Sequence, residues 1–416
     1  MRVLLVHNRY RAASTAGEDR VYDQEAGLLE DAGDDVIRFE ATSDGIGTYT
    51  MRQKAIQGLR TFWSHDDAAR ITQLLRDRRP DIVHVHNIWP LISPSVVWAC
   101  RRYDVPVVMR MPNFRLFCVN GHLVRSGKDC ERCIGRSLMP GVVHGCGGSM
   151  TRSVALAGSA TFHRLIGTWI RGVDAFIAPS RFVRSVALSA GIDRSRLFVK
   201  PNFVPLPKRT RIGPGDYFLF LGRLEDDKGP DLAITAMTAE LGSLVLAGAG
   251  PMDQDLAAAA DRSSASIRLV GRQSPERCSD LLAGARALVV PSRIRETFGL
   301  VVPEAYAHGV PVVAAGHGAL VESVQDGVTG FVFEPRSAED LRSKMRRMLD
   351  DSTSLSMGQE ARRLHAKRYG SKTNLELLHR IYRTVIGRSR TRAHPWRHSD
   401  VPASPSTRKR LPIAGL

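Results

Sequence analysis

Apolar and polar positions follow one repeated scheme along this chain. A short run of strand-forming apolar residues is followed by a longer stretch with apolar residues at helical spacing. In the first half the runs are Val3–His7, Val36–Phe39, Ile82–His86, Val105–Met109, Ala175–Ala178 and Leu197–Val199. Helical patterns such as 18–32 and 93–102 lie between several of them. The second half repeats the scheme with Tyr217–Leu221, Leu244–Ala247, Ile267–Val270, Ala287–Val290, Val310–Ala314 and Phe331–Phe333. Strand runs alternating with helices predict parallel sheets covered by helices. Between the halves, residues 201–215 are rich in Pro and Gly and show no period, so they read as a linker. The expected fold is α/β, with two Rossmann-like doubly wound domains, 1–203 and 215–370, facing a cleft and joined through 204–214. A last helical stretch, 371–387, is a candidate to pack back on the first domain.

Composition adjusts this picture. The 416 residues suffice for two domains, and a 43% hydrophobic content suffices for two cores. No apolar run reaches the roughly 20 residues of a membrane-spanning helix. The first run is too short, and too soon followed by Arg9, Tyr10 and Arg11, for a signal peptide. A cytoplasmic location is therefore expected. The formal net charge is +17. Residues 388–416 hold seven Lys or Arg against one Asp, with four prolines, and are expected to be a disordered basic tail. The rest of the excess belongs to the folded body. It reflects either an Arg-rich background or an anionic partner such as a lipid surface at the inner membrane face or a phosphorylated substrate. Nucleic acid is disfavoured, because aromatic residues are 6% of the chain and Trp396 alone interrupts the tail.

Candidate chemistry gathers at expected strand ends. Gly222 and Arg223 close one run, with Lys228 in the turn that follows; Gly248-Ala-Gly250 closes the next, and Gly271-Arg272 the one after. A guanidinium fork and a mobile ammonium at a strand's carboxyl end suit a pyrophosphate. Tight turns after strands are the structural alternative for each glycine taken singly. After Ala287–Val290 comes Arg295-Glu-Thr-Phe-Gly-Leu-Val-Val-Pro-Glu, with Glu296 in a loop and Glu304 in a first helical turn that Pro303 is placed to open. Two carboxylates at a carboxyl edge suit a polyhydroxylated ligand, since each accepts hydrogen bonds from neighbouring hydroxyls. Solvated acids at a helix start are the plainer reading.

As an ordered set these segments resemble glycosyltransferase family 4, group 1. The resemblance is clearest from Gly222 to Phe333 and continues through Gly309-Val-Pro-Val-Val-Ala and Asp326-Gly-Val-Thr-Gly. It implies the two-domain GT-B architecture and transfer of a sugar from a nucleotide-sugar donor, with retention at the anomeric carbon and no cofactor required for catalysis. It implies that Arg223 and Lys228 hold the donor diphosphate, that Glu296 contacts the donor sugar and that Glu304 contacts the ribose. The amides around Phe298, Gly299 and Leu300 would face sugar and phosphates, with Gly222 and Gly250 lining the approach and Arg272 near the base. The first domain departs from the pattern. Only Gly17 remains of a glycine pair in the first loop, and Pro112 stands where relatives carry a histidine. Asn113, His84 and His86 are the candidates to substitute. The implied acceptor is a saccharide or a lipid-linked sugar in cell-surface polysaccharide or glycolipid synthesis. The readings kept beside it are a non-catalytic sugar-nucleotide or polyanion binder recruited by the basic tail, and another enzyme on the same architecture, such as a sugar-nucleotide epimerase.

Four of the six cysteines cluster in the first domain: Cys118, Cys130, Cys133 and Cys146. The two-residue spacer of Cys130-Glu-Arg-Cys133 occurs in thiolate knuckles for zinc, and the flanking cysteines allow a four-thiolate structural site. Free thiols, or an iron–sulfur or redox role, are the alternatives.

Overall fold

The computed structural model describes residues 1–10 and 17–391, without the side chains of 46, 47, 54 and 55. The strands of the first half are β1 (Arg2–Arg9), β2 (Asp35–Thr42), β3 (Ile82–Asn87), β4 (Val107–Arg110), a small hairpin of β5 (Val124–Arg125) and β6 (Lys128–Asp129), β7 (Ala175–Ala178) and β8 (Leu197–Val199). Those of the second half are β9 (Tyr217–Leu221), β10 (Ser243–Ala247), β11 (Ser266–Gly271), β12 (Ala285–Val290), β13 (Val312–Ala315) and β14 (Gly330–Phe333). They build two parallel sheets, ordered β2-β1-β3-β4-β7-β8 and β11-β10-β9-β12-β13-β14. The chain is thus two doubly wound α/β domains.

All twelve expected runs are strands. Several boundaries shift: β1 and β2 run on to Arg9 and Thr42, and β12 begins at Ala285. β4 and β13 begin two residues later than the apolar runs do, because Pro106 and Pro311 have no amide to give the ladder. Their carbonyls still accept, from Val83 and Leu288. In each sheet the strand order reverses once, between β1 and β3 and between β9 and β12. Helices leave opposite faces at such a point and open a crevice at the carboxyl edge.

The last helix, Ser371–Thr391, returns to the first domain. Leu378, Ile381, Tyr382 and Val385 join Val3, Leu5, Tyr22, Ala26 and Leu29 in one buried cluster. The Tyr382 hydroxyl lies 2.7 Å from His84 Nδ1, and His379 Nε2 lies 2.6 Å from Asp34. This helix continues past residue 387 to Thr391, and 392–416 of the basic tail fall outside the described residues. The two passages between the domains lie side by side. The Val204 amide donates to the Tyr369 carbonyl at 3.1 Å, and Asn374 Nδ2 donates to the Pro201 carbonyl at 2.6 Å.

Leu378 is fully buried. Leu378→Ala is expected to cost about 2–5 kcal/mol of unfolding free energy in urea titration, through lost transfer energy and a residual cavity. A cost below about 0.5 kcal/mol, the size of an ordinary surface substitution, would contradict docking of this helix in the first domain's core.

Candidate active site at the interdomain cleft

The second domain brings three candidate residues together at its switch point. After β9 the chain passes Gly222 and Arg223 and makes a short turn, Asp226–Lys228. After β12 it passes Ser292 and reaches Glu296. Lys228 Nζ lies 2.6 Å from Glu296 Oε1, and Ser292 Oγ donates to the same oxygen at 2.8 Å. Burial alone would raise the Glu296 pKa. The charge of Lys228, the bonds from Lys228 and Ser292 and the charge of Arg223 outweigh it and hold the carboxyl below its ordinary value. Glu296 is therefore ionised at neutral pH. Arg223 is 44% exposed; its guanidinium pairs with Glu225 and lies 3.2 Å from Asp227. A ligand phosphate therefore has to compete with protein carboxylates for both cations.

Close packing of strand ends explains the glycines here. A side-chain carbon at Gly250 would stand 2.3 Å from the Leu224 carbonyl oxygen, too near for any residue with a Cβ. Gly250 and Arg272 lie at the ends of β10 and β11, the next two strands outward from β9.

The loop carrying Glu296 leads into a helix, Val301–His308. It starts two residues before Pro303, which is tolerated because the first amides of a helix have no internal acceptor. Glu304 still falls in the first turn, and it is buried. Its carboxylate lies 2.6 Å from Arg20 Nη1 of the first domain. Burial pushes the Glu304 pKa up, against the opposing charge and hydrogen bond of Arg20. Gly17 opens the helix Gly17–Asp31 that carries Arg20, and a Cβ there would stand 2.9 Å from Leu300 Cδ1. Thr297 Oγ1 donates to the Pro112 carbonyl at 2.9 Å. The Phe298 ring is buried in the second core, edge-on to Tyr369 at 6.0 Å between centroids, so it is a packing residue. Gly299 and Leu300 form the approach to the helix N-terminus. Candidate residues thus fall in two groups. Arg223, Lys228 and Glu296 share one charged knot, while Gly17, Leu300 and Glu304 share a contact made across the domains.

Neither His84 nor His86 reaches the cleft. Both are fully buried against Glu25, whose other oxygen is 2.7 Å from Lys200 Nζ. Burial lowers both histidine pKa values, which favours the neutral rings. Asn113 faces the first-loop helix, donating to Glu18 Oε1 at 3.0 Å. Among the described residues, the one set of three metal-competent side chains with ligand atoms within 4.8 Å of one another is Glu25, His84 and His86. The Lys200 ammonium already neutralises its single carboxylate. The four clustered cysteines are free thiols. Cys133 lies within electrostatic reach of Cys118, Cys130 and Cys146, with the sulfurs more widely spread than that three-residue set.

Sequence reasoning missed Arg20, Ser292, Thr297 and Glu322. The Glu322 carboxylate accepts the amides of Arg181 and Phe182 from the other domain, each at 3.0 Å. It also missed His122, which lies within electrostatic reach of Asp227, Lys228 and Arg223. None of these residues breaks a local pattern; each acts through a partner distant in sequence.

Comparison with known proteins follows the same division of the chain. Residues 207–365 match the family of glycosyl transferases group 1, and residues 11–202 match the glycosyl transferase 4-like domain. The chain is 32% identical over 341 residues to a D-inositol 3-phosphate glycosyltransferase of Thermobispora bispora, covering 74% of this chain and 73% of that one. It is 27% identical over 399 residues to a glycogen synthase of Mycobacterium tuberculosis, covering 84% and 86%. Among solved structures, sucrose-phosphate synthase from Thermosynechococcus elongatus superposes with a TM-score of 0.68 at 18% identity, covering 93% of this chain and 99% of that one. Anabaena HepE in complex with UDP-glucose gives 0.62 at 16%, covering 92% and 99%. These two structures share the GT-B fold.

The two glutamates carry opposite pH signatures. Glu296, with its folded-state pKa lowered, contributes stability that is present above its unfolded pKa and lost as pH falls through the folded one. Glu304, with its pKa raised, costs stability as pH rises from the unfolded value through the folded one. In urea unfolding, Glu296→Gln is expected to lose ground to the wild type as pH rises toward the ordinary glutamate pKa of about 4.3, and Glu304→Gln to gain ground as pH rises above that value. Slopes of the same sign for both variants would contradict this assignment.

Proposed function

The chain belongs to the group 1 glycosyltransferases and transfers a sugar from a nucleotide-sugar donor, and from that premise we propose that it is a retaining enzyme acting on a saccharide or lipid-linked acceptor. The observation that carries the proposal is the Lys228–Glu296 pair at the β9/β12 switch point, with Arg223 beside it.

The chemistry runs through charge. Breaking the bond between the sugar and the diphosphate places developing negative charge on the departing phosphate. Arg223 and Lys228, once drawn from their carboxylate partners to the diphosphate, are suited to stabilise that charge, and cations held there act most strongly where water is excluded. As Lys228 turns toward the phosphate, the Glu296 carboxylate becomes a fixed acceptor for sugar hydroxyls. Glu304, in the first turn of the helix that follows this loop, would take the ribose hydroxyls in exchange for Arg20. The acceptor hydroxyl then attacks on the face the nucleotide leaves and passes its proton to the departing phosphate oxygen, which retains configuration without a covalent nucleophile. The two cations supply the neutralisation that a divalent ion supplies in other phosphate chemistry, so no metal is assigned to catalysis.

Among the described residues no helix is long and apolar enough to cross a membrane. The net charge of +17 supports peripheral attachment to an anionic membrane face, where a lipid-linked acceptor would be met. Place in cell-surface polysaccharide or glycolipid synthesis follows from that attachment and belongs to the same proposal.

Glu296→Gln is expected to abolish transfer while leaving nucleotide binding nearly intact, measured by product formation and by titration calorimetry. Nucleotide binding to a wild-type protein that transfers no sugar across a donor and acceptor panel would favour a non-catalytic binder. Lys228→Ala is expected to lower kcat by about 10²–10³, the usual cost of removing one preorganised charge-stabilising group. Deleting 392–416 is expected to weaken binding to anionic vesicles at low salt; unchanged binding would remove the tail from this account.

A further inference from the structure

The helix Met51–Arg60 is inverted for a helix on a protein surface. Met51, Ile56 and Leu59 share one side of it, and that side faces water. Met51 is 81% exposed and Leu59 is 71% exposed. Gln57 lies on the opposite side, half-buried, and its Nε2 donates to the Pro90 carbonyl at 2.8 Å. Of the helix residues whose side chains are described, none is buried. A helix of 10 residues is marginal in water by itself. Surface helices ordinarily turn their apolar side to a core, and this one turns it outward.

The same face continues onto the helices Met139–Val143 and Met150–Leu165. The Phe62 ring lies against Phe162, with centroids 6.1 Å apart, and Ser159 Oγ donates to the Thr61 carbonyl at 2.7 Å. A Cβ at Gly158 would stand 3.1 Å from the Phe62 ring. To either side of Gly158 along the helix, Met150, Val154 and Leu165 form one exposed stripe. Met139 and Val143, one turn apart, are exposed on the shorter helix, which Val142 seats on the cluster holding Ala157. Charge follows the same outline. Asp and Glu are 42 of the 416 residues, yet none occurs in 45–65 or in 132–173. Arg52, Arg152 and Arg171 stand exposed on these segments. Arg60, at their edge, lies 3.3 Å from Asp66 and 3.7 Å from Asp67. An exposed apolar surface set among cations and free of acids is complementary to anionic lipid.

We propose that this face of the first domain lies on an anionic lipid bilayer. Met51, Leu59, Val143 and Val154 enter the headgroup layer, and Arg52 and Arg152 meet lipid phosphates. The inference rests on the membrane attachment proposed above and assigns it to the folded body, not to residues 392–416 alone. It also orients the cleft. Pro90 lies in the loop after β3, at the carboxyl edge of the first sheet, so the Gln57–Pro90 bond joins the lipid face to the cleft rim. A lipid-linked acceptor held in the bilayer reaches the cleft past that contact.

The test is co-sedimentation of the full chain with vesicles of phosphatidylglycerol or of phosphatidylcholine, at about 0.1 M and about 0.5 M salt. The wild type is expected to bind the anionic vesicles only, and to keep part of that binding at the higher salt, where charge is screened and apolar burial is not. Leu59→Glu with Val143→Glu is expected to lower the partition coefficient at least about tenfold at both salt concentrations. Its melting curve should match the wild type, because both side chains are exposed. Arg52→Glu with Arg152→Glu should weaken binding at the lower salt. On vesicle addition, amide exchange should slow in 51–63 and 139–154. If both double variants bind like the wild type while deletion of 392–416 abolishes binding, the attachment stands and the face assignment is overturned. A wild-type chain that binds neither vesicle would overturn the attachment and the face together. A dimer in sedimentation that Leu59→Glu with Val143→Glu dissolves would give the face to a second copy and overturn the lipid assignment.

Discussion

A carboxylate taken out of water stays charged only beside a fixed cation, and Glu296 meets that constraint through Lys228. The pair is drawn from two strand ends that are adjacent only because the sheet order reverses between β9 and β12. Ser292 fixes the carboxylate from the same side, and Arg223 adds charge without direct contact. The result is a cation and an anion held ready at one place, each able to change partner for a ligand of matching chemistry. Such a pair adds little to stability when one compares it with a packed apolar substitute. Its arrangement makes sense as a site.

The second domain does not stand alone in shaping this place. Glu304, Leu300 and Thr297 each touch the first domain, through Arg20, Gly17 and Pro112. Glu322 caps the helix that begins at Arg181, and Arg295 pairs with Glu131 between the clustered cysteines. The chain also crosses twice between the domains, and its last helix completes the core of the first. Opening or closing of the cleft therefore has to break or remake a short list of polar contacts around Glu296 and Glu304, while the hydrophobic cores stay intact.

The sequence carried the sheets clearly. Buried parallel strands read as short apolar runs, and prolines delayed the starts of β4 and β13. It also carried the residues of the charged knot, because Arg223 and Lys228 follow one apolar run and Glu296 another. What it did not carry were partners. Arg20 looks like any exposed helix cation, and Ser292 like any residue after a strand. Their roles come from chain segments brought together over large sequence separations. His84 and His86 read as candidates to substitute for the histidine whose place Pro112 takes. The structure turns them toward Glu25, beneath the first helix, and that direction depends on sheet twist and helix placement.

The most direct measurement is the position of a nucleoside diphosphate sugar bound to the crystalline Glu296→Gln variant. The account predicts the diphosphate between Arg223 and Lys228, the sugar against residue 296 and the ribose against Glu304. A ligand bound elsewhere, or bound in the cleft with its phosphates remote from Lys228, would contradict it.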